Sequence, residues 1–179
     1  FGSLLGCLTK TTLTPTITNC HANNCKILIY ELNSNYEFHV GGLIGNVDNA
    51  SINVCGIKNC IIDIYGGSYI GGLICWGNDN GGTITNSYSE VDITFQMAKT
   101  NFGCILGGLC CNNFITKYCY SINTIKVTNL INGKVNGLNS LGTCNNCYVK
   151  TNIDVEINNT NSYVTSINGL CGYFNSDSE

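Results

Sequence analysis

The stretch Val40-Gly41-Gly42-Leu43-Ile44-Gly45 decides the fold, because its centre returns along the whole chain. The copies read Gly2-Ser3-Leu4, Gly41-Gly42-Leu43, Gly71-Gly72-Leu73, Gly107-Gly108-Leu109, Asn136-Gly137-Leu138 and Asn168-Gly169-Leu170, with leucines 39, 30, 36, 29 and 32 residues apart. Self-similarity at that spacing marks stacked structural units, each unable to bury its apolar face alone. A branched residue stands three places before each of the last five leucines: Val40, Ile70, Leu106, Val135 and Ile167.

Two more apolar segments follow the box. One reads Ile17-Thr18-Asn19-Cys20, Ile52-Asn53-Val54-Cys55 and Ile84-Thr85-Asn86-Ser87, then more loosely Lys117-Tyr118-Cys119 and Asn145-Asn146-Cys147. The other alternates strictly: Ile27-Leu28-Ile29, Ile62-Asp63-Ile64, Val91-Asp92-Ile93, Ile125-Lys126-Val127 and Ile153-Asp154-Val155. Such runs, rich in β-branched residues and bounded by Gly, Asn, Ser and Thr, are strands and too short for helices. Three strands and three turns in roughly 33 residues describe one coil of a solenoid. The expected fold is all-β, a parallel β-helix of about five rungs with three short strands per rung and a rise of about 4.8 Å. Leu43, Leu73, Leu109 and Leu138 should form one buried column, and Val40, Ile70, Leu106 and Val135 another. A sandwich or propeller would call for Asn-Gly turns between complementary strands. The Asn-Gly pairs are Asn80-Gly81, Asn132-Gly133, Asn136-Gly137 and Asn168-Gly169, two of them inside the box.

The box Val40-Gly41-Gly42-Leu43-Ile44-Gly45, a following segment of the type Thr83-Ile84-Thr85-Asn86-Ser87-Tyr88-Ser89, and the closing Ile70-Gly71-Gly72-Leu73 resemble the GLUG repeat. The resemblance covers nearly the whole chain. It implies an accessory β-helical region of a large surface or secreted protein, such as the adhesin-like proteins and immunoglobulin A peptidases that carry this repeat. Its motifs are structural and bring no catalytic residues with them.

Composition narrows the function. The 179 residues are 44% hydrophobic with no composition shift, so residues 1–179 are expected to be one solenoid domain, a segment of a longer protein or assembly. Eight basic residues, all lysine, face eleven carboxylates for a net charge of −3, which leaves no basic stripe for nucleic acid. No run approaches the roughly 18 apolar residues of a membrane span. The 28 asparagines suit a fold with many tight corners, because Asn tolerates the left-handed conformation.

Thirteen cysteines follow the repeat. Cys20, Cys55, Cys119 and Cys147 share one column that Ser87 completes, and Cys25 and Cys60 share another. Cys75 and Cys111 fall two residues after a box leucine, Cys110 and Cys171 one residue after. Column neighbours about 5 Å apart lie within the Cα range of a disulfide. Three readings stay open: small buried hydrophobes filling a narrow interior, disulfide staples in an oxidising compartment, or a metal site at Cys144-Asn145-Asn146-Cys147. The odd count and the in-register side chains count against staples. The absence of a second pair with that gap, and the distance in sequence of His21 and His39, count against metal.

For chemistry, the outward row of the alternating strand reads Leu28, Asp63, Asp92, Lys126, Asp154. This alignment sets Asp63 and Asp92 on adjacent rungs, the arrangement a carbohydrate-active β-helix enzyme would use. A solvated strand face explains the same pattern, and no phosphate loop, nucleophile elbow or arginine supports an enzyme. No motif calls for a cofactor. The sequence therefore points to a non-enzymatic, adhesin-like spacer or binding surface, extracellular or surface-associated. Its expected partners are other protein chains or flanking repeats at the solenoid ends, and glycans.

Overall fold

The computed structural model describes residues 1–8, 14–30, 37–77, 82–97, 104–157 and 165–170; Cys171 and the Asn80-Gly81 pair lie outside them. Every strand pairing is parallel, and the strands stack in register as a β-solenoid of about four turns.

Each turn visits four faces rather than the three strands expected per rung, because the box segment is split at its corner into two strands. The first face follows the box: Leu5–Leu8, Ile44–Val47 and Ile74–Trp76 pair in order, and bridges Ile74 to Cys110 and Cys110 to Asn139 continue the ladder. The second face stacks Thr16–Thr18, Ala50–Asn53, Gly82–Thr85, Ile115–Lys117 and Thr143–Asn145. The third carries His21–Asn23 and Lys26–Tyr30, then Gly56–Gly71, Tyr88–Met97, Tyr120–Leu130 and Tyr148–Ile157. The fourth stacks Glu37–Gly41, the end of the long Gly56–Gly71 strand, Cys104–Gly107, Gly133–Asn136 and Thr165–Asn168.

Both expected columns are present. Val40 pairs with Ile70, Ile70 with Leu106 and Leu106 with Val135, all fully buried. Leu43, Leu73, Leu109 and Leu138 are equally buried. The box itself is a corner: the apolar segment that contains it bends at Gly-Gly-Leu and contributes a short strand on either side. Hydrogen bonds run through this corner from turn to turn. The Leu43 N–H donates to the Leu73 carbonyl at 2.9 Å, Leu73 to Leu109 at 2.8 Å and Leu109 to Leu138 at 2.8 Å. A β-carbon on Gly72 would run into the Gly108 carbonyl oxygen and the Ser89 hydroxyl. The second box glycine is thus required by the closeness of one turn to the next.

The corner between the second and third faces is left-handed in every turn. Asn19, Val54, Asn86, Tyr118 and Asn146 have φ of 56°, 54°, 50°, 54° and 52°. Asn suits this conformation, but Val54 and Tyr118 show that the cross-turn ladder imposes it on other residues too. The Asn19 N–H donates to Asn53 O at 3.1 Å, Val54 to Thr85 O at 3.2 Å, Asn86 to Lys117 O at 3.1 Å and Tyr118 to Asn145 O at 3.1 Å.

In one place the register departs from the sequence alignment. Asn24 and Asn59, also left-handed, make an extra corner in the first two turns that the third turn lacks. Glu90 faces Lys58 while Val91 faces Cys60, so Asn59 is a one-residue bulge.

Leu73→Ala should destabilise the fold by about 2–5 kcal/mol, because the void opens inside a packed column. Gly72→Ala should be damaging as well, whereas Gly6→Ala, where an added methyl meets nothing within 4 Å, should stay within about 0.5 kcal/mol of the parent. Urea unfolding followed by circular dichroism measures all three.

Candidate functional site

The outer surface of the third face is the longest regular array in the molecule. Its first outward row runs His21, Gly56, Tyr88, Tyr120, Tyr148. Tyr88 and Tyr120 stack at 5.1 Å with their planes 7° apart. Tyr88 lies over the Cα of Gly56, where a β-carbon would strike its ring, and so reaches His21 at 5.9 Å. The next row carries Asn23, Lys58, Glu90, Ile122 and Lys150. Glu90 accepts a hydrogen bond from the Tyr120 hydroxyl at 2.9 Å and pairs with Lys58 Nζ at 3.3 Å. Burial, with the hydrogen bond to the Glu90 carboxylate second, pushes Tyr120 up to about 12. Beside these rows lies an open groove of about 530 Å³ lined in part by Asn59, Glu90, Asp92, Thr124, Lys150 and Asn152.

The two candidate carboxylates do not share a row. Asp63 faces Leu28 below and Thr94 above, whereas Asp92 faces Ile61 and Thr124. The outward row is therefore Leu28, Asp63, Thr94, Lys126, Asp154, and Asp92 sits two residues away along the strand. The alternation Val91-Asp92-Ile93 continues through Phe95 and Met97, all four apolar residues pointing inward. Sliding such a pattern by two residues preserves its face, so the three-residue match could not fix its register. Asp63 accepts from the Tyr30 hydroxyl at 2.7 Å, and this contact raises the Tyr30 pKa. Asp92 instead shares the groove with Glu90.

A second aromatic group sits at the corner between the fourth and first faces. His39, Tyr69 and Trp76 bring their rings within 4.6 to 5.2 Å of one another. Sequence reading missed this cluster because its members come from three segments. Only the register of the turns brings them together.

The corner cysteines are hydrogen-bonding groups as well as fillers. Each sulfur donates to the carbonyl two residues back: Cys20 to Thr18 at 3.5 Å, Cys55 to Asn53 at 3.5 Å, Cys119 to Lys117 at 3.2 Å and Cys147 to Asn145 at 3.3 Å. Ser87 does the same to Thr85 at 2.7 Å, and its oxygen accepts the Cys55 N–H from the turn below at 3.1 Å. The other column repeats the device, with the Cys25 N–H donating to Cys60 Sγ at 3.1 Å. Where the extra corner is absent, the Val91 N–H finds the Oδ1 of buried Asn123 at 3.0 Å. The Asn123 amide in turn donates to the Gly108 carbonyl at 2.8 Å, and Ser121 donates to the Gly137 carbonyl at 2.8 Å. This polar network inside the core was not visible in the sequence, since Asn123 and Ser121 belong to none of the repeated segments.

Among the described residues no group of three His, Cys, Asp or Glu converges as metal ligands, and no helix is long and apolar enough to cross a membrane. Twelve described cysteines are free thiols. Burial pushes Cys104 and Cys111 up. Cys147, half-buried, is drawn down to about 6, chiefly because the Cys119 thiol beside it can donate to its thiolate, with the Cys119 N–H adding to the effect. The same contact, with burial, pushes Cys119 up.

Compared with protein-family models, curated proteins and solved structures, the chain matches none of them.

Cys55→Ser should be mild, because serine already fills the equivalent place at Ser87. Cys55→Ala should cost about 1 kcal/mol more, since it removes the sulfur that the Cys20 N–H bonds. Iodoacetamide should label Cys147 first, because the thiolate is the reactive form. Its labelling rate should halve near pH 6 and be flat above pH 7.5. A rate that climbs through about pH 8.5, as for an ordinary thiol, would show that Cys147 is not acidic.

Proposed function

We propose that this solenoid is a non-enzymatic structural and binding element of a larger surface or extracellular assembly, in the manner the GLUG resemblance implies. The observation that carries this reading is the third face, whose outward rows repeat at strand spacing and present stacked tyrosines beside an open polar groove. Stacked turns make an extended, rigid surface from little sequence, and such surfaces suit adhesion and assembly. The two-residue offset of Asp92 from Asp63 supports binding over catalysis, as does the engagement of Asp63 with Tyr30 and of Glu90 with Tyr120 and Lys58.

Other chains or flanking repeats are the proposed partners at the ends of the stack. Tyr148–Ile157 is paired along one edge in the described structure, and its inward Val149, Ile153 and Val155 are half-buried where their counterparts one turn below are covered. Open edges of this kind invite strand addition. Glycans are the proposed ligands of the groove.

Residues 1–179 should associate in a concentration-dependent way by light scattering, and a stable monomer at tens of micromolar would overturn the end-pairing. On polysaccharide and glycan arrays the chain should bind without releasing reducing ends, and Tyr120→Ala should weaken that binding. Release of reducing ends that an Asp63→Asn, Asp92→Asn double variant abolishes would establish the enzyme instead.

A further inference from the structure

The column that follows the box by two residues reads Gly45, Cys75, Cys111, Ser140 in successive turns. Sulfur occupies two adjacent places in it, flanked by residues without any. Both cysteines are fully buried, and their sulfurs lie 3.3 Å apart. Their backbones are bonded directly, Cys111 N–H to Cys75 O at 3.2 Å, so the Cα atoms stand one strand spacing apart, about 4.8 Å. That spacing falls inside the range of about 4.4–6.8 Å that a disulfide spans.

These thiols differ from those at the left-handed corners. There each sulfur is aimed at a carbonyl on its own turn, and in the second column Cys60 Sγ also accepts the Cys25 N–H; Ser87 serves equally well in the first. In each corner pair one cysteine, Cys20, Cys25 or Cys147, is only half-buried, whereas Cys75 and Cys111 are both fully buried with their sulfurs 3.3 Å apart. Their thiol protons go to the Tyr69 and Cys75 carbonyls, and the Cys75 carbonyl keeps the Cys111 N–H if the sulfur proton is lost.

We infer that Cys75 and Cys111 form a cross-turn disulfide site, which a low-molecular-weight disulfide closes while the chain folds and the sulfurs are still reachable. In the first step the thiolate of one cysteine attacks a sulfur of the small disulfide. A protein–small-molecule mixed disulfide forms, and one small thiolate leaves and takes up a proton. In the second step the other cysteine loses its proton to solvent and attacks the protein sulfur of the mixed disulfide. The cross-turn bond forms and the second small thiolate leaves and is protonated. Two protein thiols are thereby oxidised to one disulfide, and one small disulfide is reduced to two thiols. The bond joins the third turn to the fourth at the box corner and closes a loop of about 36 residues, which restricts the unfolded chain. Burial then shields it from reductants.

The test uses the full chain, reduced and unfolded, then refolded across a series of reduced to oxidised glutathione ratios. Remaining thiols are alkylated under denaturing conditions, and the peptides are mapped by mass spectrometry. The expected result is a dominant peptide pair joined through Cys75 and Cys111, lighter by two hydrogens than the reduced pair. The oxidised chain should also unfold at higher urea than the reduced chain. Cys111→Ser should abolish both the joined pair and the urea shift while keeping the parent circular dichroism, because serine is already accepted one turn on at Ser140. Cys55→Ser should change neither. Recovery of Cys75 and Cys111 as free thiols at ratios where other cysteines have paired would overturn the inference. So would their joining to Cys104 or Cys110 in preference to each other.

Discussion

At the box and at the left-handed corners, the backbone stays hydrogen-bonded to neighbouring turns. At the box, leucine N–H groups donate to leucine carbonyls through four successive turns at 2.8 to 2.9 Å. A corner held this way admits no β-carbon at Gly72, and at the second corner it holds even Val54 and Tyr118 at positive φ. Unpaired backbone groups inside a narrow solenoid would be expensive. The ladder therefore sets which residues the corners accept. Strand interiors need only the right side facing in.

The same constraint explains why so much of the interior is polar. A corner leaves an N–H that the straight ladder does not reach, and a short side chain with a lone pair accepts it while its own proton adds to a carbonyl the ladder already holds. Cysteine and serine do this at the left-handed corners, and Asn123 and Ser121 do it beside the box glycines. The cysteine richness of the chain is in large part corner chemistry. Cys75 and Cys111 stand apart because both are fully buried, with their sulfurs 3.3 Å apart.

On the outside, regularity passes from the backbone to the side chains. Rows that share a register can stack, as Tyr88 and Tyr120 do, or pair, as Lys58 and Glu90 do. A binding surface follows from such rows, and its character changes wherever a turn gains or loses a residue. The bulge at Asn59 is such a place: it shifts the pairing by one residue, so that Asp92 faces Ile61, two residues short of Asp63, and lies in the groove with Glu90.

The sequence by itself determined the fold. The period of the box, the β-branched residues at fixed offsets and the asparagines at the corners are local signals, and stacking identical units has few solutions; the buried columns of Leu43 and Val40 follow directly. The corner column was legible for the same reason, because the distance from the second segment's isoleucine to its cysteine or serine stays constant through Ile17–Cys20, Ile52–Cys55 and Ile84–Ser87. Only the tertiary structure decided the register of the third face, the thiol contacts and the aromatic cluster of His39, Tyr69 and Trp76. Alternation tells a strand which side faces in and is blind to a slide of two residues, so the pairing of Ile62 with Ile93 rather than with Val91 could be read only from the structure. The polar network around Asn123 was hidden because a buried amide is favourable only once its partners, from neighbouring turns, are in place.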